Sequence, residues 1–248
     1  MSTKLCPECE SILKNHSDDG SLSDPTPAVC PVCNWHGRWS DGLWEPRIIL
    51  PKPALPYVSI DIETTGLDPQ TCQILEIGAV YDDWTRPIPH LPEFHCYVTH
   101  SYITGNPYAL ALNAEILRKL ANPQKSDLYL SEDEVAAHLA KWLHPLTGGS
   151  VATPAGKNFA SFDRQFLKRL PDFERKVRLH HRTIDPAMLF WLPSDDKLPD
   201  SKTCYERAGL DEKVSHTAIS DARAVVWLIR AGVKRLPSFW KRAPNDPD

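Results

Sequence analysis

Between Pro56 and Gly66 the chain runs YVSIDIETT, a β-branched segment carrying two acids, Asp61 and Glu63, two positions apart. The branched side chains and the flanking turn residues predict a strand over 57–62 that runs on into these acids. Side chains alternate across a strand, so both carboxylates leave the same face of whatever sheet this strand joins. Two like charges side by side on a half-buried face repel one another and are costly to desolvate. A fold that accepts them has to bring something positive to that face.

Further strands are predicted over 74–83 (ILEIGAVYDD) and 94–99 (FHCYVT), and the short spacings predict an antiparallel meander. Helices are predicted near 108–121 and 132–144, then a short strand near 150–155 and a helix at about 159–170. A strand at 183–185 (TID), a short helix near 186–192 and a last helix over 217–235 follow. Three early strands followed by strand–helix alternation predict an α/β fold with a mixed sheet. The chain has 248 residues, 42% hydrophobic and 24% charged, enough for one ordinary domain with a packed core and a small appendage.

Two aspartates repeat the anomaly of the strand. In NFASFDRQFLKRL, helical spacing puts Asp163 on a stripe with Phe166, Leu167 and Leu170. In HTAISDARAVVWLIR, Asp221 shares its stripe with Ala218, Ala224, Val225 and Leu228. No lysine or arginine stands on either stripe, and an unpaired buried charge costs several kcal/mol. Any one of these acids reads equally well as a helix cap or a satisfied polar residue. All four together are resolved by a divalent cation that they share. His216, five residues before Asp221, is a weak signal by itself. Beside a metal site, a neutral imidazole can take a proton from water.

The N-terminal region reads differently. Cys6-x-x-Cys9 and Cys30-x-x-Cys33 are two of the pairs expected of a tetrahedral four-cysteine zinc site of the zinc-ribbon kind. With little apolar sequence around it, such a module folds with its metal, one structural Zn²⁺. A redox role for either pair is the alternative. Trp35, Trp39, Trp44 and Arg38 suit base stacking, but acids outnumber bases over residues 1–40, which favours a structural or protein-contacting module. The expected division is therefore a module at 1–40, a proline-rich linker at 41–56, a main domain at 57–240 and a tail at 241–248.

The remaining bulk properties narrow the partners. No apolar run approaches the roughly 20 residues that cross a bilayer. The opening MSTKLCPECE lacks the apolar stretch of a signal peptide, so a cytoplasmic protein with no membrane partner is expected. The net charge of −4 argues against holding nucleic acid by overall basicity. A local basic flank, Lys157, Arg164, Lys168, Arg169, Arg175, Lys176, Arg178 and Arg182, suits a polyanion or, equally, a solvated helix face.

Three segments, DIETTGL (Asp61 to Leu67), NFASFD (Asn158 to Asp163) and HTAISD (His216 to Asp221), resemble the DEDDh branch of the DnaQ-like exonucleases over roughly residues 57–235. That family has the ribonuclease H-like fold, so the resemblance implies a mixed five-stranded sheet flanked by helices. It also implies two Mg²⁺ or Mn²⁺ ions held mainly by Asp61, Glu63 and Asp221, with Asp163 completing the shell directly or through water. Oxygen-rich donors suit such ions. His216 would be the general base, and the product a nucleoside 5′-monophosphate released from the 3′ end of single-stranded DNA or RNA. Thr64, Thr65, Gly66 and Leu67 would hold the terminal nucleotide, with Asn158 and Phe162 beside it. Phe162 reads equally as a core phenylalanine. The step Gly156-Lys157-Asn158 departs from the Gly-His or His-Asn common in the family. Two rivals stand beside this reading: an oligoribonuclease-like enzyme for very short RNAs, and a nucleic-acid-binding or partner-recruiting protein with an incidental nuclease fold.

Overall fold

A computed structural model describes residues 55–210 and 217–235, together with the backbone of four short strands within residues 1–54. The chain divides into two units, Met1–Ala54 with Trp84–Pro87, and Leu55–Asp83 with Ile88–Asp248. In the first, β1 (Lys14–Asn15), β2 (Thr26–Val29), β3 (His36–Ser40) and β4 (Leu43–Pro46) pair antiparallel in sequence order. Leu43–Pro46, within the stretch 41–56, pairs with His36–Ser40. Cys6, Cys9, Cys30 and Cys33 lie outside the described residues.

The second unit is built on a five-stranded sheet. Its strands are β5 (Tyr57–Thr64), β6 (Ile74–Asp82), β7 (Glu93–Thr99), β8 (Tyr129–Ser131) and β9 (Thr153–Ala155), in the order β8-β7-β6-β5-β9. β5, β6 and β7 form the expected antiparallel meander. β9 joins β5 and β8 joins β7 in parallel, which makes the sheet mixed. Alternation does what the sequence requires. Val58, Ile60 and Ile62 enter the main core with Ile77, Cys96 and Val98, while Asp61 and Glu63 leave the opposite face.

The helices are α1 (Pro107–Leu112), α2 (Ala114–Ala121), α3 (Glu132–Thr147), α4 (Asp163–Leu167), α5 (Phe173–Lys176), α6 (Ala187–Phe190), α7 (Ser201–Ala208) and α8 (Ala218–Arg235). α3 starts at a capping box between Ser131 and Glu134 and buries Val135, Leu139 and Leu143 in the main core. α8 lies across β5 and β6 and buries Ala218, Ala222, Val225 and Ile229.

Several expected elements differ from the structure, each for a local reason. The helix expected at 108–121 is broken at Asn113, which ends α1 and starts α2. The helix expected from 159 begins only at Asp163. Asn158 takes a left-handed conformation (φ 58°), and turns fill the interval up to Phe162. Residues 183–185 form no strand. Ile184 makes a single bridge to Ala155. β8, α5 and α7 are too short to announce themselves by periodicity.

Candidate active site

The site forms where the end of β5 meets the start of α8. Asp61 and Glu63 stand on one face of β5, opposite Gly78 and Glu76 of β6. Asp221 descends on them from the first turn of α8. One carboxylate oxygen from each of Asp61, Glu63 and Asp221 lies within 4.8 Å of the other two. Asp163 is buried and belongs to the same neighbourhood, but outside that trio. β9 pairs with β5 only as far as Ser59, so the next edge N–H groups need other acceptors. The Asp163 Oδ1 takes the Ile62 N–H at 3.1 Å. Asp163 thus grips the backbone midway between Asp61 and Glu63. Its stripe is buried as its spacing predicts: Phe166, Leu167 and Leu170 are all in the core.

Burial pushes the Asp61 carboxyl well above the usual carboxylate range, and the charges of Asp163, Asp221, Glu63 and Glu76 push it further. Burial, then Asp221 and Glu76, push Glu63 up to about 7, against an opposing hydrogen bond from Asn113. Burial likewise pushes Asp163 up to about 7, although the backbone N–H groups of Asp163 and Ile62 oppose it. Among the described residues, every neighbouring charge acting on Asp61 is negative. A converging set of hard carboxylate oxygens, held together against its own repulsion, fits a divalent cation.

Beside the trio, the segment Thr64–Leu67 is anchored from several directions. Asn113 Nδ2 donates to the Thr64 carbonyl at 3.0 Å, and the Asn106 N–H donates to the Thr65 carbonyl at 2.8 Å. The Thr65 hydroxyl accepts the Gln73 N–H, and the Thr64 hydroxyl donates to the Gly66 carbonyl. Gly105 is pressed against Thr65 so closely that an added Cβ would stand 2.3 Å from the Thr65 Cβ. From this fixed turn Leu67 projects 84% exposed, with Tyr102 and Tyr108 also exposed on the segment that braces it.

Asn158 is exposed, and its N–H is taken by Asp185. Phe162 is half-buried, packs on Phe166 at 5.1 Å between ring centroids and borders the core. His216 lies outside the described residues. Much of the basic flank is engaged locally: Lys168 with Glu174, and Arg175 and Lys176 with Asp172. Arg164 donates to the His180 carbonyl and Arg169 to the Gln70 side chain. A cavity of about 220 Å³ lined by Arg164, Lys168, Phe173 and Arg178 lies in this flank, and none of the four acids lines it.

Three residues of the site went unread in the sequence. Asn113 looked like one more helical residue, and Gly105 like an ordinary loop glycine. Glu76 carried a signal, a lone acid in the apolar run ILEIGAV. It is fully buried.

The chain is similar to several known proteins. The oligoribonuclease of Burkholderia lata is 26% identical over 190 residues, covering 69% of this chain and 79% of that protein. The oligoribonuclease of Vibrio parahaemolyticus is 26% identical over 173 residues, covering 66% and 86%. Among solved structures, E. coli Exonuclease I in complex with a dA16 oligonucleotide superposes with a TM-score of 0.53 at 16% identity, over 76% of this chain. Exonuclease I from Methylocaldum szegediense gives 0.53 at 14% identity over 74%. The chain spans only about 42% of the E. coli Exonuclease I chain, so those likenesses speak to the fold. The model of the family described as Exonuclease (RNase_T) matches residues 58–229, well over half of the sequence. The chain belongs to this exonuclease family.

Proposed function

We propose that the chain is a metal-dependent 3′→5′ exonuclease that hydrolyses the terminal phosphodiester of single-stranded DNA or RNA and releases a nucleoside 5′-monophosphate. The observation that carries this is the convergence of Asp61, Glu63 and Asp221 to within 4.8 Å in a chain of an exonuclease family. Asp61, Glu63 and Asp221 would hold two Mg²⁺ or Mn²⁺ ions, with Asp163 completing the set directly or through water. Bound there, such ions supply positive charge to the scissile phosphate and acidify the attacking water. His216 accepts the proton of that water. Asp163, through Ile62, keeps the strand that carries Asp61 and Glu63 in place. Leu67 offers an apolar contact to the last base, and the anchored Thr64–Gly66 backbone sets its height. Asn158 and Phe162, within the second motif, serve as further contacts.

This chemistry is assigned to residues 57–240. Residues 1–40 are assigned to a module holding one structural Zn²⁺ through Cys6, Cys9, Cys30 and Cys33, with a surface for a protein partner.

A second reading, an enzyme for very short RNAs, is favoured by one observation. The match spans 79% and 86% of two oligoribonucleases but about 42% of Exonuclease I. One experiment tests both. 5′-labelled DNA and RNA from dinucleotides upward are incubated with Mg²⁺ or Mn²⁺ and either the wild type or Asp61→Ala/Glu63→Ala. The wild type gives a ladder from the 3′ end, and the double variant loses about a thousandfold or more, roughly 4 kcal/mol of barrier. Activity that survives the double substitution sinks the assignment. Dinucleotides cleaved far faster than longer strands select the second reading.

A further inference from the structure

Glu76 is a fifth acid on the face that carries the cluster, and none of the three sequence motifs includes it. It is fully buried in β6, directly opposite Glu63. Its two oxygens have separate tasks. Oε2 accepts the Ala218 N–H at 2.9 Å, and Oε1 lies 2.6 Å from Nε2 of His95 on β7. Ala218 is the first residue of α8, where a backbone N–H has no acceptor within the helix. A carboxylate there also meets the positive end of the helix dipole.

Two residues further along β6, Gly78 provides the seat. A Cβ on Gly78 would stand 2.3 Å from the Ala218 carbonyl carbon and from the Ile219 nitrogen. The helix backbone therefore rests directly on the strand, and Glu76 fixes its end by a hydrogen bond. Asp221 lies three residues beyond Ala218, close to one turn, and so on the same side of the helix.

Position rather than stability explains the acid. Glu76 adds to the repulsion on both Asp61 and Glu63, and an apolar residue would spare the cluster that cost. We propose that Glu76, held by His95, is a positioning residue. It seats the first turn of α8 on Gly78 and so sets where Asp221 meets Asp61 and Glu63 around a divalent cation. The inference rests on the cluster being a cation site, as read above.

The test is Mn²⁺ titration of the full chain, followed by calorimetry, with the Mn²⁺ concentration for half-maximal nuclease activity as a second readout. Glu76→Ala is expected to weaken Mn²⁺ binding at least tenfold and to shift the half-maximal concentration equally. Its KM for the strand at saturating Mn²⁺ stays within twofold. Glu76→Gln, which keeps an acceptor for Ala218, stays within threefold of the wild type in Mn²⁺ affinity. His95→Leu, which frees Glu76 on one side, weakens Mn²⁺ at least threefold and carries the test if Glu76→Ala does not fold. Wild-type Mn²⁺ affinity in folded Glu76→Ala or His95→Leu overturns the inference, as does a Gln variant as weak as the Ala variant. Asp61→Asn/Glu63→Gln is the reference. If it keeps Mn²⁺ affinity, the cation reading itself fails. If it loses affinity while Glu76→Ala does not, only the positioning role fails.

Discussion

Helix α8 crosses β5 and β6 with a fully buried carboxylate near one end and half-buried carboxylates near the other, and the two ends are treated in opposite ways. Towards the C-terminal half, Asp82 of β6 is fully buried and clasped by Arg230, whose Nε and second terminal nitrogen donate at 2.9 and 2.8 Å. The Tyr57 hydroxyl donates to the same carboxylate at 2.8 Å. Burial and the Asp82 charge hold that phenol well above its usual range. Nine residues earlier on the helix, about 13 Å along its axis, Asp221 meets Asp61 and Glu63. There, among the described residues, every charge that acts on Asp61 is another acid. One fold thus supplies a guanidinium where a buried acid serves the scaffold, and gathers like charges where the proposed cation would bind.

The sharpest way to break this comparison is to remove the guanidinium. Arg230→Met takes the guanidinium from the fully buried Asp82, and breaking such a pair costs about 3–5 kcal/mol. Urea denaturation is expected to show that loss. Adding Asp82→Asn in the same chain is expected to return most of it, because the buried negative charge is gone. A loss below about 1 kcal/mol for Arg230→Met would mean that the guanidinium does little for the buried acid at the scaffold end, and the contrast would collapse.

At the acidic end the expectation has the opposite sign. Glu63 is pushed from 4.5, and Asp163 from 3.8, to about 7 in the folded protein. The folded state therefore binds protons that the unfolded chain releases. That contribution is complete below the unfolded values and is lost as the pH rises through about 7. Without metal, the melting temperature is expected to fall between pH 5 and pH 8 by on the order of 5 °C. Saturating Mn²⁺ should flatten the slope, since the cation replaces the protons. Asp61→Asn should raise the metal-free melting temperature at pH 8. Calorimetry at several pH values, with chelator and with Mn²⁺, measures all three. A metal-free profile that rises with pH, or an Asp61→Asn variant that melts lower, contradicts the picture of uncompensated repulsion.

The same contrast explains what could be read in the sequence. Period-2 alternation put Asp61 and Glu63 on one face, and helical spacing put Asp163 and Asp221 on apolar stripes. These are local rules, and the strands and α8 obey them because their packed faces are long. Arg230 and Asp82, 148 residues apart, obey no local rule, nor do Glu76 and Ala218, 142 apart. Such pairs exist only once the helix lies on the sheet. The short elements failed for a related reason. Asn158 ends one pattern through a left-handed backbone, and Asn113 breaks a helix because its side chain is drawn 49 residues away to Thr64.

Asn113 also offers the finest test of the comparison. At the scaffold end a buried acid has a cation and a phenol. At the other, Glu63 has among its opposing influences from the described residues only the neutral amide of Asn113. That amide is 3% exposed, spends a donor on the Thr64 carbonyl, and has a buried Oδ1 that finds no partner among the described residues. Asn113→Ala removes one hydrogen bond and one unsatisfied oxygen together, so the net loss of stability is expected to be about 1 kcal/mol or less. Its effect on activity should be larger than that figure suggests. The Thr64–Leu67 turn loses an anchor, and KM for the strand is expected to rise about three- to tenfold while kcat changes less. Relieved of its only amide, Glu63 should titrate higher still, moving the metal-free melting profile described above towards higher pH. If Asn113→Ala shifts neither KM nor that profile, the amide braces nothing at the acidic end. The like charges would then be held together by the strand, Asp163 and α8 alone.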